Sequence, residues 1–225
     1  MVEKLKNTKE AEMSEPYKSQ REGAYKEIKR RIITLFYKPG SYLNEAMLSA
    51  DLEFGKTPVR QAIDQLRLEG MLDVMPRKGL IVRPISFDEI TQIANVRIVL
   101  EGYCAELAAD RCNQEDIARL TDIIEQFNTA AEAQDTDKLM ELDRDFHSAI
   151  SSASKEQVLS EILAGLHDRS LRFWFISLSE KQQVGNILNE HQAIFDALRA
   201  RDPAAARKAA EHHIKSFLKN ISPVI

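Results

Sequence analysis

Apolar residues along this chain fall into two regimes. Between Glu45 and Gly70, in EAMLSADLEFGKTPVRQAIDQLRLEG, two short amphipathic segments flank a tight connection. In the second segment Val59, Ala62, Ile63 and Leu66 recur at helical spacing, which gathers Lys56, Thr57, Arg60, Gln61 and Asp64 on the opposite face. Thr57 is placed to cap that helix, Pro58 to occupy its first position and Gly70 to end it. Upstream, Ser19 to Phe36 sets Tyr25, Ile28, Ile32 and Leu35 on one stripe, which Pro39-Gly40 closes. Downstream, Met71 to Arg83 places β-branched and apolar residues around Pro76-Arg77-Lys78-Gly79, the pattern of a hairpin with a basic tip. That order predicts a winged helix-turn-helix of three helices plus a small β-hairpin wing.

The second regime starts after Arg83. Residues 1–84 hold five of the eight Gly and five of the seven Pro, so the remainder is expected to be almost wholly helical. Pro84 marks a linker, and Ser86-Phe87-Asp88-Glu89 has capping-box spacing. The first helix beyond it carries Ile90, Ile93, Ala94, Arg97, Leu100, Cys104 and Leu107 on one face. A second, from near Asn113, carries Ile117, Leu120, Ile124, Phe127 and Ala131. Further helices are expected over about 136–152, 156–178, 181–201 and 203–220, and their short connections imply an all-α antiparallel bundle. The fold class is therefore mainly α, with a disordered leader over 1–15, a winged helix over 16–84 and a helical ligand-binding and dimerisation domain over 85–225.

Charge changes this picture in one respect. The net charge of −4 conceals 16 Lys+Arg against 12 Asp+Glu in residues 1–84, and 15 against 23 in residues 85–225. Only the first part has the sign that phosphate contact requires. No window approaches the roughly 18 apolar residues of a membrane span, and the leader lacks the apolar run of about 7–15 residues of a secretory signal. Cys104 and Cys112 lack CxxC spacing and read as free thiols in a reducing cytoplasm.

Candidate chemistry sits where polar residues interrupt the apolar stripes. A helix with a buried stripe and a short, hydrogen-bonding, basic front suits the DNA major groove, with Arg60 as the base-reading residue. In the bundle, Leu139, Leu142, Phe146 and Ile150 define an inward face beside Asp143 and His147. His191 is in register with Ile187, Ile194, Phe195 and Leu198; His213 shares a face with Ala206, Ala210 and Phe217, whereas His212 should face solvent. Each histidine alone is more often a core or surface residue than a ligand. An Asp and three His converging from three helices would bind a divalent metal such as Zn or Ni.

Two stretches carry a specific resemblance. Phe54-Gly55-Lys56-Thr57-Pro58-Val59-Arg60, followed by Leu68-Glu69-Gly70-Met71 and Pro76-Arg77-Lys78-Gly79, resembles the signature of GntR-family transcriptional regulators. Gly55 stands where Ser or Thr is common and Lys56 where Arg is common; Lys lacks Arg's bidentate fork, so base specificity there is relaxed or shifted. Asp143-Arg144-Asp145-Phe146-His147, Glu190-His191-Gln192-Ala193-Ile194 and His213 resemble the all-helical FCD effector domain of such regulators.

The resemblance implies operator binding through Lys56, Thr57, Arg60, Gln61, Arg77, Lys78 and Gly79. It also implies metal ligation by Asp143, His147, His191 and His213, and a small organic-acid effector. Arg97 is the candidate clamp for its carboxylate, with Arg172 and His167 as lesser candidates; the competing role of Arg97 is a salt bridge within the bundle. The function expected is a cytoplasmic, homodimeric, ligand-responsive regulator, a repressor and not an enzyme. The alternatives are a metal-dependent enzyme using the Asp/His3 set and a helical domain that only dimerises.

Overall fold

In a computed structural model the described residues are 20–84, 86–177 and 181–221, so the leader expected over residues 1–15 lies outside them. The chain divides into two units, Met1–Ile85 and Ser86–Ile225.

The first unit opens with helix α1 (residues 20–33), which buries Ala24, Ile28 and Ile32. It ends sooner than its apolar stripe suggests, because Leu35 turns the chain with a positive φ of 58°. Strand β1 (Tyr42–Leu43) leads to α2 (Glu45–Leu52), capped by the Asn44 side chain, which accepts from the Met47 amide at 2.8 Å. A left-handed Glu53 turns the chain into α3 (Lys56–Leu68). This helix begins one residue before the expected cap: Gly55, not Thr57, is its N-cap, and Pro58 falls in the first turn, where its missing N–H still breaks no helical bond. Its far end is as the glycine implies. Gly70 has φ 73°, and the Met71 amide donates to the Leu66 carbonyl while the Gly70 amide donates to Arg67, a Schellman closure.

Strands β2 (Leu72–Met75) and β3 (Gly79–Val82) form the wing, registered from Leu72 opposite Val82 to Met75 opposite Gly79. The sequence pattern missed β1, whose two residues pair with β3, so the sheet is three-stranded in the order β1-β3-β2. Leu43, Leu48, Val59, Ala62, Ile63, Leu66, Leu72, Leu80 and Val82 close the core with α1. One polar network joins α1 to the end of α3: Lys29, 5% exposed, donates to Tyr25 Oη at 2.5 Å and to Glu69 Oε2 at 2.9 Å.

The second unit is helical throughout its described part: α4 (Phe87–Arg111), α5 (Gln114–Ala133), α6 (Thr136–Ala153), α7 (Gln157–Ser177), α8 (Lys181–Arg199) and α9 (Pro203–Ile221). The starts follow the capping logic. Ser86 accepts from the Glu89 amide, and Asn113 with Asp116 forms a complete capping box. The Glu89 carboxylate does not close the first box, because Arg169 holds it. Helix α4 is the spine, packed along α9 and also against α6, α7 and α8, while α5 lies on α6 and α8. Its buried face departs from the expected stripe: Glu101, Gly102 and Ala105 are buried, whereas Leu100 and Leu107 are only half-buried. Both cysteines are buried and unpaired with each other, and burial pushes the Cys104 thiol up to about 12. No helix among the described residues is long and apolar enough to cross a membrane.

Gly79 sets the seat of the wing. Its φ is +96°, and a Cβ there would lie 2.7 Å from the Leu43 carbonyl oxygen. Gly79→Ala is expected to cost about 1–3 kcal/mol through backbone strain and the clash with β1. Thermal unfolding of the two proteins checks this, and an unchanged midpoint would show that β1 can move aside.

Candidate metal centre and nucleic-acid interface

Helical spacing brings four candidate ligands to one point. Asp143 and His147 sit one turn apart on α6, His191 comes from α8 and His213 from α9, and one ligand atom from each lies within 4.8 Å of the others. Asp143 is 3% exposed, His191 0% and His213 4%. His212 is exposed.

The surrounding carboxylates set which nitrogen of each ring faces the centre. His147 Nδ1 donates to Glu101 Oε2 at 2.9 Å, and His213 Nδ1 donates to Glu190 Oε2 at 2.8 Å. In both rings Nε2 is thereby left with its lone pair, the carboxylate–histidine arrangement of metal sites. His191 is held differently: it stacks on Phe146 at 4.3 Å and meets the Phe127 ring edge-on at 5.1 Å. Both of its ring nitrogens, and Oδ1 of Asp143, are buried without a hydrogen-bond partner. His191 Nε2 and Asp143 Oδ1 are 3.4 Å apart. Orphaned buried donors and acceptors cost about 1–3 kcal/mol each, and three imidazoles with a carboxylate are the donor set of Zn, Ni or similar ions. The residues present therefore fit a divalent metal.

Electrostatics act unevenly on the same set. Burial pushes His191 and His167 well below the ordinary imidazole range, so both are neutral near pH 7, and the lone pair of His191 is left without a partner. Burial pulls His147 down too, but Glu101 on its Nδ1 outweighs it and raises the group. Burial raises Asp143, with His147 and His213 opposing.

Arg97 takes the salt bridge and also stands on a cavity wall. Its Nε donates to Glu101 Oε1 at 2.6 Å, and its NH2 group lies 3.3 Å from His167 Nδ1. Arg97 is thus in a buried salt bridge, and it also lines a cavity with Asp143, His147, His167, Ser170, Leu171, Trp174, His213, Ile214 and Phe217. Because Arg97 can only donate, His167 accepts on Nδ1 and turns Nε2–H towards Asp143 Oδ2, 3.3 Å away. Arg172, expected as a second clamp, is fully buried but off this wall. The wall takes His167, Ser170, Leu171 and Trp174 from α7, spaced by three and four, and position 172 points to another face of the helix. Glu101 and Glu190 were not expected in the site. The spacing of Glu101 four residues after Arg97 was the available signal.

In the first unit Lys56, Thr57, Arg60, Gln61, Arg77 and Lys78 are all exposed, the last two at the wing tip. Gly79 is half-buried at the base of the wing, where its part is to let β3 approach β1. Lys78 Nζ lies 5.6 Å from the centre of the Tyr42 ring. Glu45, absent from the expected set, accepts from Arg60 NH2 at 2.9 Å and from its Nε at 3.2 Å. So exposed an ion pair is worth little, and guanine O6 and N7 can replace Glu45 on the same fork.

Comparison with known proteins agrees with both units. Residues 20–82 match the family described as bacterial regulatory proteins, gntR family, and residues 92–216 match the FCD domain. The chain is 24% identical over 200 residues to the HTH-type transcriptional repressor RspR of Escherichia coli (strain K12), covering 89% of this chain and 88% of that one. It is 29% identical over 220 residues to the Glc operon transcriptional activator of the same organism, covering 88% and 87%. Among solved structures, E. coli McbR/YncC superposes with a TM-score of 0.82 at 21% identity, covering 91% of this chain and 97% of that one, a likeness of fold. With a winged helix that carries the gntR signature and a helical unit matched by the FCD model over most of its length, the chain belongs to the GntR family of DNA-binding transcriptional regulators with an FCD effector domain.

Proposed function

We propose that this chain is a metal-dependent, effector-responsive transcriptional repressor that acts in the cytoplasm as a homodimer on a two-fold symmetric operator. The observation that carries the reading is the buried convergence of Asp143, His147, His191 and His213 beside Arg97, in a chain whose other unit presents an exposed basic helix face. These four residues would hold a divalent ion such as Zn or Ni. When bound, that ion supplies a Lewis-acid position for the carboxylate of a small organic acid. Arg97 keeps N–H donors beyond those given to Glu101 and His167, so it can take the other side of the same carboxylate. His167 stands beside it.

Homodimerisation is supported by α4, which leaves Val96, Val99 and Tyr103 exposed at helical spacing. Repression is favoured by the relative named a repressor, although another is named an activator. An enzymatic role for the Asp/His3 set has no support in the relatives, which are named as regulators.

On the DNA side, Arg60→Ala is expected to remove a base-edge contact worth about 1–3 kcal/mol and to flatten preference among operator variants. Lys78→Ala should weaken binding to all sequences alike and reduce the salt slope. Titrations against matched and mismatched duplexes at two salt concentrations check both; full discrimination in the Arg60 variant would place base readout elsewhere.

On the metal side, His213→Ala should release the ion while His212→Ala should not, because only His213 is buried with the other ligands. Elemental analysis of the purified variants decides, and equal metal in both would remove His213 from the ligand set.

The regulatory reading predicts a coupling of about 1–3 kcal/mol between effector and operator, reciprocal by linkage. Operator DNA must then change effector affinity by the same factor. Effector dissociation constants measured with and without operator test this, and identical values would mean that the site does not regulate DNA binding.

A further inference from the structure

We propose that Glu45 is a positioning residue for base readout: it fixes the Arg60 guanidinium by one edge so that the opposite edge reads guanine, with both contacts kept on DNA. The inference rests on the reading of Arg60 as the base-contacting residue. Both oxygens of Glu45 accept from Arg60 Nε at 3.2 Å, and Oε2 also accepts from NH2 at 2.9 Å. These contacts lie on the Nε–NH2 edge of the guanidinium. The NH1–NH2 edge is a second pair of parallel N–H groups, of the geometry that matches guanine O6 and N7.

The fold, not the two side chains alone, sets this pair. Glu45 is the first residue of α2, whose start is fixed by the Asn44 cap and which packs on α3. Helix α3 is in turn anchored by the fully buried Val59, Ala62 and Leu66, so its Arg60 face cannot turn away. Asp64, one turn beyond Arg60 on the same helix, takes Arg67 at 3.2 Å instead. Guanine can reach Arg60 on either edge. Displacing Glu45 would leave an ionised carboxylate unpaired against DNA of the same sign, whereas taking the NH1–NH2 edge keeps the pair. The pair adds little to stability, being exposed, but it acts on recognition. An arginine that docks on a base loses rotamer freedom, and one already held loses less. Non-specific complexes rest on phosphate contacts and need no such ordering, so the advantage falls on the specific complex. Arg60 is also the one arginine in the exposed front of Lys56, Thr57, Arg60 and Gln61, so two-pronged reading of guanine by that front depends on its orientation.

Selection from a randomised duplex library by the full-length protein gives a preferred site, and Arg60→Ala identifies the G·C pair that Arg60 reads. Wild type, Glu45→Ala, Glu45→Gln and the Glu45→Ala, Arg60→Ala double variant are then titrated against that duplex and against one changed at that pair. Glu45→Ala is expected to lower the preference at that pair by about two- to tenfold, the ordering of one long side chain, and to leave other positions alone. Glu45→Gln should retain part of the preference, because its amide oxygen still accepts from the guanidinium. Once Arg60 is gone, removing Glu45 should leave the ratio unchanged. An unchanged ratio in Glu45→Ala, with affinity for every duplex raised alike, overturns the proposal and makes the carboxylate only a negative charge near phosphates. A changed preference at a different base pair that persists without Arg60 also overturns it, by making Glu45 a reader in its own right. Arg60→Ala that keeps every preference overturns the reading of Arg60 beneath, separately from the role of Glu45.

Discussion

The helical unit is organised around a burial that would be costly in any other arrangement. Asp143, His191 and His213 have been taken out of water beside a half-buried His147, on three helices, and some of their polar atoms have no protein partner. Polar atoms left that way destabilise a core, so the surrounding structure holds them as a set: Glu101 orients His147, Glu190 orients His213, and Phe127 and Phe146 box in His191. The spine helix α4 joins this arrangement through Arg97 and Glu101, one turn apart, so that the cavity wall and the support of a ligand are parts of one ion pair. The long contact of α4 with α9, and its contacts with α6, α7 and α8, hold side chains from separate helices together, the four ligand atoms within 4.8 Å of one another.

The DNA-binding unit follows a different economy, with its chemistry exposed and its framework buried. Pro58, Val59, Ala62, Ile63 and Leu66 anchor α3, so the opposite face can hold Lys56, Thr57, Arg60 and Gln61 in water. The wing tip is likewise free because its base is fixed: Gly79 lets β3 come close to Leu43, and β1 adds a third strand. Glu45 holds the Arg60 fork by a weak, solvent-exposed pair, a restraint that can order the side chain without competing strongly with a base edge. A buried network of Lys29, Tyr25 and Glu69 does for the far end of α3 what the apolar stripe does for its middle.

Much of this was legible in residue order, because helices and turns are local. The period of Val59, Ala62, Ile63 and Leu66, the stop at Gly70, the caps at Ser86 and Asn113, and the scarcity of Gly and Pro after residue 84 each act within a few residues of themselves. The same periodicity set Asp143 with His147 on one face, and it separated His213 from His212. What it could not reach were two-residue β1, paired only through a partner far along the chain, and the cap of α3, which moved from Thr57 to Gly55. The partners of Arg60 and His213, the placing of His167 against Arg97, and the turning of Arg172 away from the cavity depend on how helices rotate against one another.

The sequence by itself determined the two-part architecture, the sign of charge on each part and the register of every ligand on its own helix, since those properties are decided by spacing and propensity along one element. Only the tertiary structure decided that the four ligands meet, that the Arg97–Glu101 pair lies beside them, and that His167, Ser170 and Trp174 rather than Arg172 form the α7 wall. Convergence between helices depends on crossing angles and rotations set by the packing of the whole core, and no stretch of sequence carries that information alone.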